Sequence, residues 1–294
     1  MIKAVITNQR EIGETMTVAP DRATRSQMTP SHQTGAVDRR PPRRPSRGLK
    51  CYVVAAFLLL PCKVYSQVRY DVVILGGRVV DPASGMDAVR NIGIQNGRIV
   101  AISQEQLQGT ESINASGLVV APGFIDLHEH AQTDEAYRAK VLDGVTTALE
   151  MEQGVPDIDQ FYAEREGKAH INFGATIGHE YLRTAVVTKG KLTEPTGEAK
   201  SRALTQPEIA ALRQSVEHGL RRGAVGIGIL MLDTPGATPN EILEMFRAAA
   251  EFKGAPVHIH VRNLEEPQYW LETDEVLADS LVTGAPAQIV HINS

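Results

Sequence analysis

Cysteine is almost absent from this sequence. Among 294 residues only Cys51 and Cys62 carry thiols, and both lie in the first 67. The remainder can therefore build no disulfide framework and offer no thiolate to a metal, so any ion bound there must be held by histidine and carboxylate. Long apolar runs are lacking too. The longest, YVVAAFLLL at residues 52–60, is closed by Pro61 and Lys63, well short of the roughly 20 apolar residues a transmembrane helix needs. Basic charge is scarce outside the N-terminus: residues 1–67 hold 11 Lys and Arg against 4 Asp and Glu, leaving 19 basic against 31 acidic residues in the rest. A body with a formal charge near −12 argues against nucleic acid or an anionic membrane as partner, since both are bound through clustered Lys and Arg.

What is present begins with a leader over residues 1–67. Arg39, Arg40, Arg43, Arg44, Arg47 and Lys50 precede the apolar segment at 51–62, and Val64 and Ser66 suit the −3 and −1 positions of a cleavage site before Gln67. This reads as a secretory signal peptide, which predicts export to the periplasm or beyond the cell. Leu-Leu-Pro ahead of Cys62 is a poor lipobox, so no stable membrane anchor is expected. Residues 1–38, polar and rich in Thr, Ser, Gln and Pro, lengthen the leader beyond what export needs and are expected to be disordered.

Residues 68–120 predict a small β unit. Residues 70–80 run apolar around Gly76-Gly77, and Asn96-Gly97 is the preferred dipeptide of a tight type I′ hairpin. From residue 121 onward, short apolar strands alternate with helical stretches, the pattern of a parallel sheet with crossover helices. Six strands are predicted, at 124–128, 146–150, 171–177, 224–230, 257–261 and 288–292. Thr205 with Glu208 and Thr238 with Glu241 have capping-box spacing, each followed by a proline in the first turn at Pro207 and Pro239. Gly223 and Gly254 mark the ends of those helices. The fold class is α/β: an incomplete TIM-like (β/α)8 barrel of about six strands beside a small N-terminal β-sandwich segment. A six-stranded piece leaves two strand edges open, so the sequence, ending at Ser294, reads as a C-terminally truncated fragment.

The chain is organised around VVAPGFIDLHEH at residues 119–130. Residues two apart on a strand face the same way, so His128 and His130 are aimed at one point, at the strand end where such barrels place their chemistry. Six of the nine histidines fall on or at the ends of predicted strands: His128, His130, His179, His258, His260 and His291. Repetition at the same end of successive strands favours a metal site over isolated core histidines. Glu150 and Glu152 share a face at the end of the second strand and can supply oxygen donors. His258 lies two residues deeper than His260 and reads as an interior residue. Arg183 and Arg262 are the nearest fixed cations for a substrate carboxylate, unless local acids take them.

APGFIDLHEH, preceded by DVVILGGRVVDP and followed by DGVTTALE, resembles the amidohydrolase superfamily. Within it, Gly178-His179 with Arg183, and GAVGIGILMLDTPGA after it, resemble the N-acyl-D-amino-acid deacylase (D-aminoacylase) branch, with TTALEME and INFGATIGH similar to its N-acyl-D-glutamate members. The resemblance covers residues 70–294. It implies one or two zinc ions held by His128, His130, His260 and His291. Glu152, or else Glu150, would stand near the position where D-aminoacylases place a cysteine. It implies His179 as a group that polarises the scissile carbonyl or holds substrate. It also implies a small-molecule N-acyl amino acid as substrate, hydrolysed at its amide. The proton-moving aspartate of such enzymes ends an eighth strand, which this sequence does not contain, so the fragment is expected to be inactive. The fourth strand has no lysine to bridge two metals, which counts against a hydantoinase or a typical dihydroorotase. Other readings are a different amidohydrolase reaction (a dipeptidase, a dihydroorotase-like enzyme or a deaminase) or a non-catalytic metal-binding or partner-binding remnant. The oligomeric state is not legible.

Overall fold

The computed structural model describes residues 4–6, 69–130, 132–263, 265 and 267–292. Most of the expected leader, including the apolar segment at 51–62 and the cleavage position at Ser66, lies outside the described residues. A piece of it, β1 (Ala4–Ile6), pairs antiparallel with β6 (Val119–Pro122). That is a strand where disorder was expected.

The first sheet also holds β2 (Arg69–Asp81), β3 (Met86–Gln95), β4 (Arg98–Ser103) and β5 (Gln108–Asn114), in the order β1-β6-β2-β3-β4 with β5 on β2. The β3–β4 turn places both Asn96 (φ 51°) and Gly97 (φ 65°) in the left-handed region, as a type I′ turn demands. Ile74, Val79, Ile92, Ala115 and Val120 form the small core of this sheet.

The second sheet contains all six expected strands, every neighbouring pair parallel. They are β7 (Phe124–Asp126), β8 (Val145–Val155), β9 (Asn172–Gly178), β10 (Ile227–Leu230), β11 (Val257–His260) and β12 (Ala287–Ile289), in the spatial order β12-β11-β10-β9-β8-β7. The helices α1 (Asp134–Leu142), α2 (Ile158–Arg165), α3 (His179–Thr188), α4 (Glu198–Ser201), α5 (Gln206–Arg221), α6 (Pro239–Glu251) and α7 (Gln268–Thr283) lie in the crossovers. On α5, the buried Ile209, Leu212, Val216 and Leu220 recur every three or four residues, the stripe an amphipathic helix turns to a sheet. They share one core with Ile177, Ile227, Ile229, Val257 and Ile259 of the strands and Ile242, Met245 and Phe246 of α6. This is a half-barrel of the TIM type whose terminal strands, β7 and β12, are its two edges.

Two strands differ from expectation in ways that matter for the site. β7 stops at Asp126, so His128 and His130 sit on the irregular segment beyond it. β8 runs on to Val155 through a bulge: Glu150 pairs with Ala175 and Val155 with Ile177, so residues 151–154 stand against Thr176 alone. Two glycines permit that bulge. Gly154 adopts φ +72°, and a Cβ on Gly228 of β10 would lie 2.6 Å from the Glu152 carbonyl oxygen.

Candidate metal centre

Strand β8 carries Glu150, just before the bulge, and Glu152, on it, inward, where they are buried at 6% and 4% exposure. Burying two carboxylates is costly unless each finds a partner, and histidines from neighbouring elements supply them. Glu152 Oε2 lies 2.8 Å from His128 Nε2 and 3.0 Å from His130 Nε2. Its Oε1 lies 3.2 Å from His291 Nε2 yet makes no hydrogen bond, although it is buried. Ligand atoms of His128, Glu152 and His291 all fall within 4.8 Å of one another. A buried oxygen left without a donor, facing imidazole nitrogens, is the arrangement a cation completes, and a His, His, Glu donor set suits zinc.

His130 and His260 flank this trio. His130 Nδ1 stands 2.9 Å from Glu150 Oε2 and its Nε2 is 3.2 Å from His128 Nε2. Burial disfavours the imidazolium of His130, but Glu150 and Glu152 outweigh it and hold the group above its ordinary value. Burial likewise raises Glu150, against the lowering effect of His130. His260 Nδ1 is 2.8 Å from the Val261 carbonyl. A carbonyl only accepts, so that nitrogen carries the proton and Nε2 keeps its lone pair for a metal. The His260 ring lies 5.1 Å, centroid to centroid, from that of His291. His291 follows β12 with φ +57°, an uncommon conformation for a non-glycine residue that turns the chain just where the ring joins the cluster. His258 is buried on β11, and burial together with nearby His128 holds it below its ordinary value.

The structure thus brings His128, His130, Glu150, Glu152, His260 and His291 together. Three other residues singled out in the sequence are paired elsewhere. His179 opens α3 and is fully buried, its Nε2 2.9 Å from Glu241 Oε1. Arg183, one turn on and also fully buried, donates from Nε to the same oxygen at 2.8 Å and from its other nitrogens to the Ala199 and Arg202 carbonyls. Arg262 donates to both oxygens of Glu275 and to the Ala237 carbonyl. The acids that take the arginines are Glu241 and Glu275, each on the helix after a strand, and not the sequence-near Glu180 or Glu265. Glu241 was expected to close a capping box with Thr238. Its backbone N–H does donate to Thr238 Oγ1 at 3.2 Å, but its carboxylate turns inward to His179 and Arg183, where two buried donors claim it.

Sequence reasoning missed Asp126 and Lys140. Asp126 Oδ1 accepts from the His128 backbone N–H at 3.0 Å, and its Oδ2 accepts from Lys140 Nζ at 2.5 Å. Lys140 Nζ also pairs with Glu129. The Asp126-x-His128 spacing was a readable turn signal. Nothing local marks Lys140, which arrives only because α1 packs against β8, the strand beside β7.

Parallel strands whose C-terminal ends converge on histidines and a buried glutamate have the arrangement of the metal-dependent hydrolase barrels. Residues 119–279 match the amidohydrolase family, and the chain belongs to it. It is 28% identical to a D-aminoacylase of Alcaligenes xylosoxydans xylosoxydans over 221 residues, 63% of this chain and 43% of that protein. It is 26% identical to an N-acyl-D-glutamate deacylase of the same organism over 256 residues, 76% of this chain and 50% of that protein. The crystal structure of N-acyl-D-glutamate deacylase from Bordetella bronchiseptica, complexed with zinc and a phosphonate mimic of the tetrahedral intermediate, superposes with a TM-score of 0.63 at 25% identity, covering 75% of this chain and 51% of that one. The chain spans about half the length of the relatives it matches.

Proposed function

We propose that this chain supplies the zinc-binding half of a hydrolase that cleaves the amide bond of N-acyl-D-amino acids. The observation that carries the reading is Glu152, whose Oε2 meets His128 and His130 while its buried Oε1 faces His291 without a hydrogen bond. His128, His130, Glu152, His260 and His291 would hold the ion or ions. Zinc, when bound, polarises an amide carbonyl and lowers the pKa of water. The protein's own part is orientation: Glu150 fixes the His130 ring through Nδ1, and the Val261 carbonyl fixes the tautomer of His260. The aspartate that the resemblance puts on an eighth strand has no counterpart among the six parallel strands described.

The relatives' names support the D-amino-acid substrate class, and the B. bronchiseptica enzyme's zinc supports the metal. A preference for D-glutamate would need a cation at its side-chain carboxylate. Arg183 and Arg262 are committed to Glu241 and Glu275, so neither of them is that cation. Export by the N-terminal segment belongs to the same proposal.

The test is binding, which needs no turnover. Purified chain is loaded with zinc and titrated calorimetrically with phosphonate analogues of N-acetyl-D-leucine, N-acetyl-D-glutamate and the corresponding L compounds. The reading expects zinc-dependent binding that favours D over L. Equal binding of both enantiomers, or none with zinc in place, sinks the substrate class. Failure to bind zinc sinks the whole reading.

A further inference from the structure

We propose that Lys140 is a positioning residue for the metal centre, holding residues 127–130 in place through Asp126 and Glu129. The inference rests on the metal-binding reading above and concerns a residue outside the ligand set. Its starting point is that the His128 and His130 segment lacks the usual supports. Sheet pairing between β7 and β8 ends at Asp126, opposite Ala148. Apolar packing does little here, because Phe124, Ile125 and Leu127 are 69%, 62% and 49% exposed.

What remains is ionic. Asp126 Oδ1 accepts from the His128 backbone N–H, and Asp126 Oδ2 accepts from Lys140 Nζ at 2.5 Å. The same ammonium pairs with Glu129, the residue between the two histidines. The Lys140 side chain is only 17% exposed and that of Glu129 10%, so the contact is partly withdrawn from solvent and outweighs an ordinary surface pair. One cation on α1 thereby ties together two carboxylates that bracket His128 in sequence. Without it those two acids would repel each other beside the ligand that Asp126 now orients. The exposed apolar side chains could not hold the segment in their place.

The test compares wild type, Lys140→Met and Lys140→Arg as full-length chains. Zinc affinity is measured by competition with a chromophoric chelator, and the visible absorption of the cobalt(II)-loaded protein reports ligand geometry. Circular dichroism of the metal-free proteins checks folding. The expected result is a 10- to 100-fold loss of zinc affinity in Lys140→Met, the range typical for groups that orient metal ligands, with an altered cobalt spectrum, and recovery of both in Lys140→Arg. A role in fold stability alone would lower the melting temperature and leave the cobalt spectrum as it is. Wild-type zinc affinity and cobalt spectrum in Lys140→Met overturn the proposal. Should Lys140→Met fail to fold, Asp126→Asn keeps the Lys140 to Glu129 pair. Weaker zinc binding in that variant supports the proposal, and unchanged binding overturns it. If wild type itself takes up neither zinc nor cobalt, the metal reading fails and takes this inference with it. A wild type that binds beside an unaffected Lys140→Met defeats this inference alone.

Discussion

Oε2 of Glu152 lies 2.8 Å from Nε2 of His128, joining the bulge of β8 to the segment that follows β7. The other oxygen of Glu152 reaches toward His291 beyond β12, so one side chain spans the half-barrel from near one edge strand to the other. Glu152→Ala should therefore lower zinc affinity more than any other single change at the centre. Glu150→Gln should cost about 10-fold, because Glu150 only orients His130. Chelator competition on both variants checks the order, and a Glu150 effect larger than that of Glu152 would reverse the assignment.

Gly228 bears on the same residue from the sheet side. A methyl group there would sit 2.6 Å from the Glu152 carbonyl oxygen and 2.6 Å from Thr176 Oγ1. Gly228→Ala must push the β8 bulge away from β10, at a stability cost of about 1–3 kcal/mol for overpacking, and displace the carboxylate from the histidines. Urea unfolding should register the first effect and zinc titration the second. Full zinc affinity in a destabilised Gly228→Ala would show that the bulge does not set the ligand position.

Much of this centre could be read from the residues alone, because strand ends and histidine placement are local signals. His128, His130, His260 and His291 stand at ends of strands that the apolar pattern marks, and these strands are present. Contacts made through tertiary packing were not legible. Thr205 with Glu208 and Thr238 with Glu241 share one spacing. Glu208 does reach back to the Thr205 N–H at 2.8 Å, whereas Glu241 is drawn to His179 and Arg183, from an element 58 or more residues away. The β8 bulge was hidden for the same kind of reason, since it depends on Gly228 in a different strand. Lys140 was invisible until α1 was placed.

That diversion of Glu241 makes it a stability determinant. Arg183 and Glu241 are both fully buried, and removing one member of such a pair strands the other charge, at about 3–5 kcal/mol. Glu241→Ala should lose stability on that scale in urea. Glu251→Ala, which removes an exposed partner of Arg213, should cost no more than about 1 kcal/mol. Similar losses in the two variants would mean that the buried pair contributes nothing special.

Glu180 gives the fold a pH dependence of defined sign. It follows His179 at the start of α3 and is fully buried, with Oε1 accepting from Gln153 Nε2 at 2.7 Å and Oε2 making no hydrogen bond. Burial pushes its pKa up to about 7; the Gln153 bond works the other way, and the acids Asp233, Glu194 and Glu152 add to the rise. A carboxyl raised in the folded state binds its proton more tightly there than in the unfolded chain. Its contribution is fully present below the ordinary carboxylate value and is lost as pH rises through about 7. Glu180→Gln mimics the protonated form and can still accept from Gln153. In metal-free protein the variant should match wild type near pH 4 and become the more stable by on the order of 3 kcal/mol at pH 8 and above. Urea unfolding across that pH range measures the difference directly. A constant gap between the two proteins at every pH would show that Glu180 ionises in the folded chain much as it does in water, and that the unsatisfied oxygen finds a partner as a charged group.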